Sequence, residues 1–156
     1  MSLQEEVEIL RRIPLFAQIE PSKLKLLAFT SERVAFDAGH VLFRQGDMAN
    51  AAFVIIEGQA EVLTDSPAGP VTLAVLGPSD FFGEIAILCD VPRTATIRAQ
   101  TRLITLRISK ELFLRLIKEF PQIATGIMRE LAHRLENTNA QLRSAHAELE
   151  QLRRSA

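Results

Sequence analysis

The pattern of apolar and polar residues changes twice along the chain, dividing it into a helical beginning, a strand-rich middle and a helical end. At the beginning, apolar residues three to four positions apart predict helices over about 3–12 and 21–29. Pro14 ends the first pattern. Pro21 followed by Ser22 suits the start of the second, because proline fits the first turn of a helix. We therefore expect two short helices before the middle section.

The middle section, from residue 32 to residue 107, consists of short apolar runs separated by turn residues. Such runs punctuated by glycine are typical of antiparallel β folds, since glycine readily adopts the positive φ of tight turns. The sequence predicts a mainly β body with flanking helices (α+β), built on an antiparallel double-stranded β-helix or jelly-roll barrel. The predicted strands are 41–43, 52–56, 60–63, 72–76, 94–98 and 103–108.

Two further helices are expected at the end of the chain. Ser109 is a favourable N-cap for the first, whose apolar face includes Phe113 and Leu116. Proline at position 121 interrupts that pattern, and a long helix is expected from about residue 122 onwards.

The long helix carries apolar residues alternately three and four positions apart, which is the heptad spacing of a coiled coil. In this register Glu148 and Arg153 can pair between the two chains of a parallel coiled coil. We therefore expect a homodimer joined through residues 122–156. The heptad positions are Met128, Leu131, Leu135, Thr138, Leu142, Ala145, Leu149 and Leu152.

Composition narrows the class of protein. A net charge of -1 over 156 residues argues against a globally basic nucleic-acid binder. The single cysteine, Cys89, excludes an internal disulfide, favours a reducing compartment and is expected to be a small buried apolar residue. No apolar run approaches the roughly 20 residues that span a bilayer, and the N-terminus lacks the charge order of a signal peptide. We expect a cytoplasmic protein with no membrane partner.

The segment 82–97, FGEIAILCDVPRTATI, carries groups that suit a phosphorylated sugar. Gly83 lets the backbone approach a ligand closely. A short helix is expected at 85–88, and its first N–H groups lack intrahelical partners and attract an anion. Backbone N–H groups at Ala86 and Ala95 are therefore candidate donors to phosphate.

Two charged side chains complete this chemistry. Arg93 follows a proline whose fixed φ helps to aim it, and its guanidinium can bind two phosphate oxygens. Glu84 offers acceptors for a ribose hydroxyl. The simpler alternative is that Glu84 and Arg93 pair with each other in a turn, as many surface charges do.

This segment closely resembles the phosphate-binding cassette of cyclic-nucleotide-binding domains, whose usual form is FGE-[LI]-A-[LI]-x-x-x-x-P-R-x-A-[TS]-[VI]. The stretches 39–47 and 53–58 also resemble the glycine-ended strands of that family, and the resemblance extends from about Arg12 to the final helix. The matching cassette residues are Phe82, Gly83, Glu84, Ala86, Pro92, Arg93, Ala95, Thr96 and Ile97.

The resemblance implies a role for each position of the cassette. Glu84 would accept from the ribose 2′-hydroxyl, and Arg93 would neutralise the cyclic phosphate. Thr94 follows the arginine, and threonine at that place occurs in receptors for cAMP and for cGMP, so both nucleotides stay open. The expected ligand-binding residues of the cassette are Gly83, Glu84, Ile85, Ala86, Arg93, Thr94 and Ala95.

The resemblance also implies contacts from the long helix. In dimeric transcription regulators of the family, two adjacent polar residues after a heptad leucine contact adenine, one from each subunit. Thr138 and Asn139 match that pair, because 132–139 fits the pattern ARRL-x-x-T-[SN]. The alternative is that Thr138 is a polar heptad residue that only sets the number of chains.

These features predict a receptor for cAMP (favoured) or cGMP that signals through its C-terminal helix to a possible effector protein. A cyclic dinucleotide on the same charges remains an option. We expect a cyclic-nucleotide-binding domain over 1–121 and a coiled-coil helix over 122–156. The alternative is a truncated or partner-dependent transcription regulator of the same family without its helix-turn-helix domain, so no direct DNA binding is expected from this chain.

Enzymatic function is not expected. The three histidines are scattered, and the sequence contains neither a nucleophile–base set nor ligands at metal spacing. We therefore predict no catalytic residues, no metal and no cofactor beyond the nucleotide ligand.

Overall fold

The protein, in a computed structural model that describes residues 2–155, is a β body with helices at both ends. The helices are α1 (Leu3–Arg11), α2 (Pro21–Thr30), α3 (Glu84–Leu88), α4 (Lys110–Glu119) and α5 (Pro121–Ser155), with a 3-10 turn at Pro14–Phe16. The strands are β1 (Glu32–Phe36), β2 (Val41–Phe43), β3 (Ala51–Glu57), β4 (Ala60–Thr64), β5 (Val71–Leu76), β6 (Phe81–Phe82), β7 (Thr96–Ala99) and β8 (Leu103–Ser109). The predicted mainly β fold with flanking helices is confirmed.

The strands form two antiparallel sheets of four, in the orders β1-β8-β3-β6 and β2-β7-β4-β5. This order is that of a double-sheet jelly roll. Within residues 2–155 no ladder joins the two sheets, so the body consists of two packed sheets and not of one closed barrel.

The central strand β3 is buried on both faces, which explains its continuous apolar sequence. Its alternate side chains Ala52, Val54 and Ile56 belong to a core shared with the helices. The intervening residues, including Phe53 and Ile55, belong to a second core between the sheets. One strand therefore connects the helical layer to the inside of the jelly roll.

Most predicted elements agree with the structure to within a residue or two. Ser109 is the N-cap of α4, since its Oγ accepts from the backbone N–H of Leu112 at 3.2 Å. The pattern did not single out β1, the two-residue β6 or the 3-10 turn. The strand predicted at 94–98 begins later, at Thr96, because the preceding residues form a loop at the site described below.

One expectation about burial differs from the structure. Cys89 is exposed at the end of α3, so the expectation that it is a buried apolar residue is wrong. Its position as the C-cap explains this exposure, because the buried residues of α3, namely Glu84, Ala86 and Ile87, all precede it. Within residues 2–155, no helix combines the length and apolarity that crossing a membrane requires.

The heptad face of α5 is largely uncovered. Leu131 packs partly against the core, but the other large apolar heptad residues are each at least 60% exposed. A row of exposed leucines on a surface helix is unusual for a solitary chain. The uncovered residues are Met128, Leu135, Leu142, Leu149 and Leu152.

Candidate functional site

A cavity of about 330 Å³ lies between the cassette segment, the β4–β5 hairpin and α5. This volume falls at the lower end of the range for small-molecule sites. Apolar side chains form much of the wall, including Val62 and Leu76. Seven of the nine predicted ligand-binding residues line it: Gly83, Glu84, Ile85, Ala86, Arg93, Thr94 and Ala95.

Arg93 is buried beneath this cavity, with 4% of its surface exposed. Its Nη1 donates to the carbonyl oxygen of Gly83 at 2.7 Å, and its Nη2 donates to that of Ala51 at 2.6 Å. The guanidinium carbon also lies 3.9 Å from the centre of the Phe43 ring, a cation–π contact. The two carbonyl groups and the aromatic ring together fix the orientation of the guanidinium.

The positive charge of Arg93 is not compensated by a salt bridge within residues 2–155. Its Nε is buried and has no acceptor, and two carbonyl bonds use only part of its five N–H donors. Burial lowers the pKa of Arg93 from its usual range, whereas the charges of Asp47 and Glu84 raise it. A buried cation with spare donors is a strong site for an anion.

The backbone of Arg93 is held by the glycine turn that follows β2. Its N–H donates to the carbonyl of Asp47 at 2.8 Å, and its carbonyl accepts from Gly46 at 2.8 Å. The Asp47 carboxylate closes the turn by accepting from the N–H of Arg44 at 2.8 Å. The Gly-Asp pair of the earlier motif therefore positions the cassette arginine.

Gly83 is required at its position for two reasons. Its φ of 87° lies in the left-handed region, which disfavours other residues. A Cβ placed there would also lie 2.8 Å from Nη1 of Arg93. Any side chain at this position would strain the turn and displace the arginine.

Glu84 is buried, with 3% of its surface exposed, and it contacts the long helix. Its Oε1 lies 3.3 Å from Nη1 of Arg134, whose Nη2 lies 2.8 Å from Oε1 of Glu130. Burial raises the pKa of Glu84, while its hydrogen bond to a backbone N–H and the charge of Arg134 lower it. The cassette and α5 thus meet through one carboxylate.

Glu84 and Arg93 do not pair with each other. The carboxylate bonds to Arg134 and the guanidinium to two carbonyl oxygens, so the simple turn ion pair considered from the sequence is wrong. The two groups instead face one cavity with different partners behind them.

The loop between Arg93 and β7 adds unused donors. Within residues 2–155, the N–H groups of Thr94 and Ala95 donate to no other backbone group. Both residues line the cavity. Together with the buried guanidinium, they offer an anion several donors in one region.

Thr138 and Asn139 do not line this cavity; both are exposed on α5, and the Thr138 hydroxyl bonds to the carbonyl of Arg134 at 2.9 Å. Their contact with a base stays a prediction. Arg134, one helical turn before Thr138, does line the cavity, and the sequence reasoning missed it. Its place in the same ARRL-like pattern is a signal that could have identified it.

No three His, Cys, Asp or Glu side chains in the described part of the chain come together to hold a metal ion. The chemistry of the cavity is therefore that of a buried cation, spare N–H donors and a carboxylate between apolar walls. Such a set recognises an organic anion that also carries hydroxyl groups.

The fold and the site define a ligand-binding module, and comparison with known families agrees. The model of the cyclic nucleotide-binding domain family matches residues 33–120, more than half of the chain. The chain belongs to this family.

Two of the relatives are regulators by name. A CRP-like cAMP-activated global transcriptional regulator of Mycobacterium tuberculosis is 32% identical over 136 residues, covering 86% of this chain and 61% of the relative. A cAMP-dependent protein kinase regulatory subunit of Blastocladiella emersonii is 37% identical over 109 residues, covering 69% and 27%. The chain thus spans about three fifths of the first relative and about a quarter of the second.

The fold is also that of a solved regulator. The catabolite activator protein of Thermus thermophilus superimposes with a TM-score of 0.76 at 30% identity, over 83% of this chain and 61% of that one.

Proposed function

We propose that this chain is a receptor for a cyclic nucleotide, with cAMP favoured over cGMP, and that it signals through α5. The observation that carries the proposal is the buried guanidinium of Arg93, which has no salt bridge within residues 2–155, with spare N–H donors beside it. A cyclic phosphate supplies the missing negative charge. The names of the relatives, which are cAMP-activated or cAMP-dependent, favour cAMP.

The ribose fits the other half of the cavity. Glu84 is an acceptor for a 2′-hydroxyl, and it is already bonded to Arg134 of the long helix. A ligand that bonds to Glu84 changes what Arg134 contacts, so it has different affinities for different positions of α5. That difference is the thermodynamic requirement for a signal.

The exposed heptad face of α5 supports a parallel homodimer as the working form. Thr138 and Asn139 would then lie at the helix–helix seam, from which they can reach a base in the cavity. A cytoplasmic location and a division into a binding domain over 1–121 and a coiled coil over 122–156 belong to the same proposal.

The alternative function is a transcription regulator of the same family that acts with a helix-turn-helix domain or a partner. Its support is that the M. tuberculosis relative matches 86% of this chain but extends well beyond it. Nucleotide binding is common to both functions, whereas DNA retention at low salt by the chain alone would favour direct regulation.

Calorimetric titration with cAMP, cGMP and 5′-AMP tests the receptor function. We expect cAMP to bind one molecule per chain, and saturation at 100 times its dissociation constant to stabilise the fold by about 2.7 kcal/mol. 5′-AMP is the matched control, because it keeps base and ribose but lacks the cyclic phosphate. Absence of heat and of a thermal shift with every cyclic nucleotide would contradict the proposal.

The pH dependence of binding tests the role of Glu84. Since burial raises its pKa above the ordinary value of 4.5, the folded protein protonates Glu84 at higher pH than an ordinary glutamate. The free protein therefore loses stability from this group as pH rises through the raised pKa. The affinity for the ligand changes with pH in the opposite direction: it rises with pH, because the ribose hydroxyl donates to the ionised carboxylate.

We expect cAMP affinity to fall as pH is lowered from 7 towards the ordinary carboxyl range, measured by calorimetry. Glu84→Gln should bind more weakly at pH 7 and lose most of this dependence, because no carboxyl titrates there. An equal pH dependence in wild type and variant would remove Glu84 from the ribose site.

A further inference from the structure

A second cavity, of about 500 Å³, lies beside the first one and is larger. It is formed by the 3-10 turn, the turn between β5 and β6, and one side of α5. Leu76, Phe81 and Arg134 contribute to the walls of both cavities, so the two are adjacent. Neither the cassette nor the heptad residues account for it.

The floor of this second cavity is apolar. Ile13, Leu15 and Phe81 line it, and each belongs to the buried core. Gly126 of α5 contributes bare backbone there, because a Cβ would lie 2.8 Å from Cδ2 of Leu15. An apolar floor of this kind favours a hydrocarbon or aromatic group over water.

The rim carries charges of both signs, but the acidic ones are engaged. The Asp80 carboxylate accepts from the N–H of Gly77 at 2.8 Å, and Glu130 pairs with Arg134 at 2.8 Å. Arg129 also lines the rim, and within residues 2–155 it forms no hydrogen bond or ion pair. His133 lies one turn further along the same side of α5. Among the described residues of the rim, Arg129 is therefore the charged side chain without a hydrogen bond or an ion pair.

The rim of the second cavity lies off the heptad face of α5. With Met128 at heptad position a, Arg129 and His133 fall at b and f, which face away from the seam of a coiled coil. A second copy of the chain on the exposed leucines would leave the rim accessible.

We propose that this second cavity binds an amphipathic organic monoanion, with its apolar body on the core residues and its acidic head on Arg129. The ligand is a small molecule with a carboxylate or sulfonate at one end. This site is distinct from the nucleotide cavity and does not depend on Arg93.

Fluorescence titration with 8-anilinonaphthalene-1-sulfonate tests the proposal, and N-phenyl-1-naphthylamine serves as its uncharged counterpart. We expect Arg129→Gln to weaken binding of the sulfonate by about fivefold, the effect of one partly solvated charged contact. Binding of the uncharged amine should not change. Arg143→Gln is the matched control, because Arg143 is also exposed at a b position but lies outside the cavity.

Two further measurements locate the probe. Amide shifts should concentrate at Gly126 and Ser79, which line the second cavity, and Arg93→Gln should bind the sulfonate as wild type does. Equal effects of Arg129→Gln and Arg143→Gln would overturn the proposal. A weaker affinity for the sulfonate in Arg93→Gln would also overturn it. Neither outcome bears on whether the protein binds a cyclic nucleotide.

Discussion

Arg93→Gln is expected to weaken cAMP binding by about a hundredfold or more. Hydrogen bonds to a charged group contribute about 1.5–3 kcal/mol each, and a cyclic phosphate would receive two from the guanidinium. Glutamine keeps an N–H donor on a shorter side chain but removes the charge and the two-pronged donor geometry of the guanidinium. Calorimetry on the folded variant measures the loss directly.

The fold should survive this substitution. Arg93 donates to the carbonyls of Gly83 and Ala51, but removing it also relieves the cost of burying a charge. Arg98→Gln is the matched control: Arg98 lies on β7 and pairs with Glu61 at 2.7 Å, outside the cavity. If Arg93→Gln melts like wild type and binds cAMP equally well, the phosphate assignment is wrong.

Leu142→Lys combined with Leu149→Lys is expected to convert the proposed dimer into monomers. Both leucines are exposed in the single chain and would be buried at consecutive a positions of a coiled coil. Burial of each leucine side chain is worth about 1.5–3 kcal/mol, and a dimer contains four of them. The dissociation constant should rise at least about a thousandfold, measured by sedimentation equilibrium.

The control places the same charges on the other side of the helix. Ala140→Lys with Ala147→Lys keeps the seven-residue spacing at f positions, which a coiled coil leaves in solvent. This variant should remain dimeric. Equal masses for both double variants, whether monomer or dimer, would contradict a seam along the leucines.

Much of the fold could be predicted from the sequence because its signals are local. The glycine turns, the N-cap at Ser109 and the heptads of α5 each depend on residues close in the chain. β6, only two residues long, carries too little pattern to be recognised. The order of the strands also involves partners far apart, which no local period encodes.

The same distinction between local and distant signals applies to the residues of the candidate site. The contiguous cassette placed Glu84 and Arg93 in one region, and the structure brings both to one cavity. Arg134 lies 50 residues beyond Glu84, so their contact depends on how α5 packs on the core. The groups that hold Arg93, such as the carbonyl of Ala51, are backbone atoms with no residue-type signature.

The anchoring of Arg93 on backbone from distant parts of the chain has a consequence for the life of the protein in a cell. The Ala51 carbonyl lies 42 residues before the arginine, and the Asp47 turn is earlier still. A nascent or partly unfolded chain therefore lacks the anion site even when its cassette is intact. Cyclic nucleotide would then protect only finished molecules from proteases, and supply of the ligand would set how much receptor accumulates.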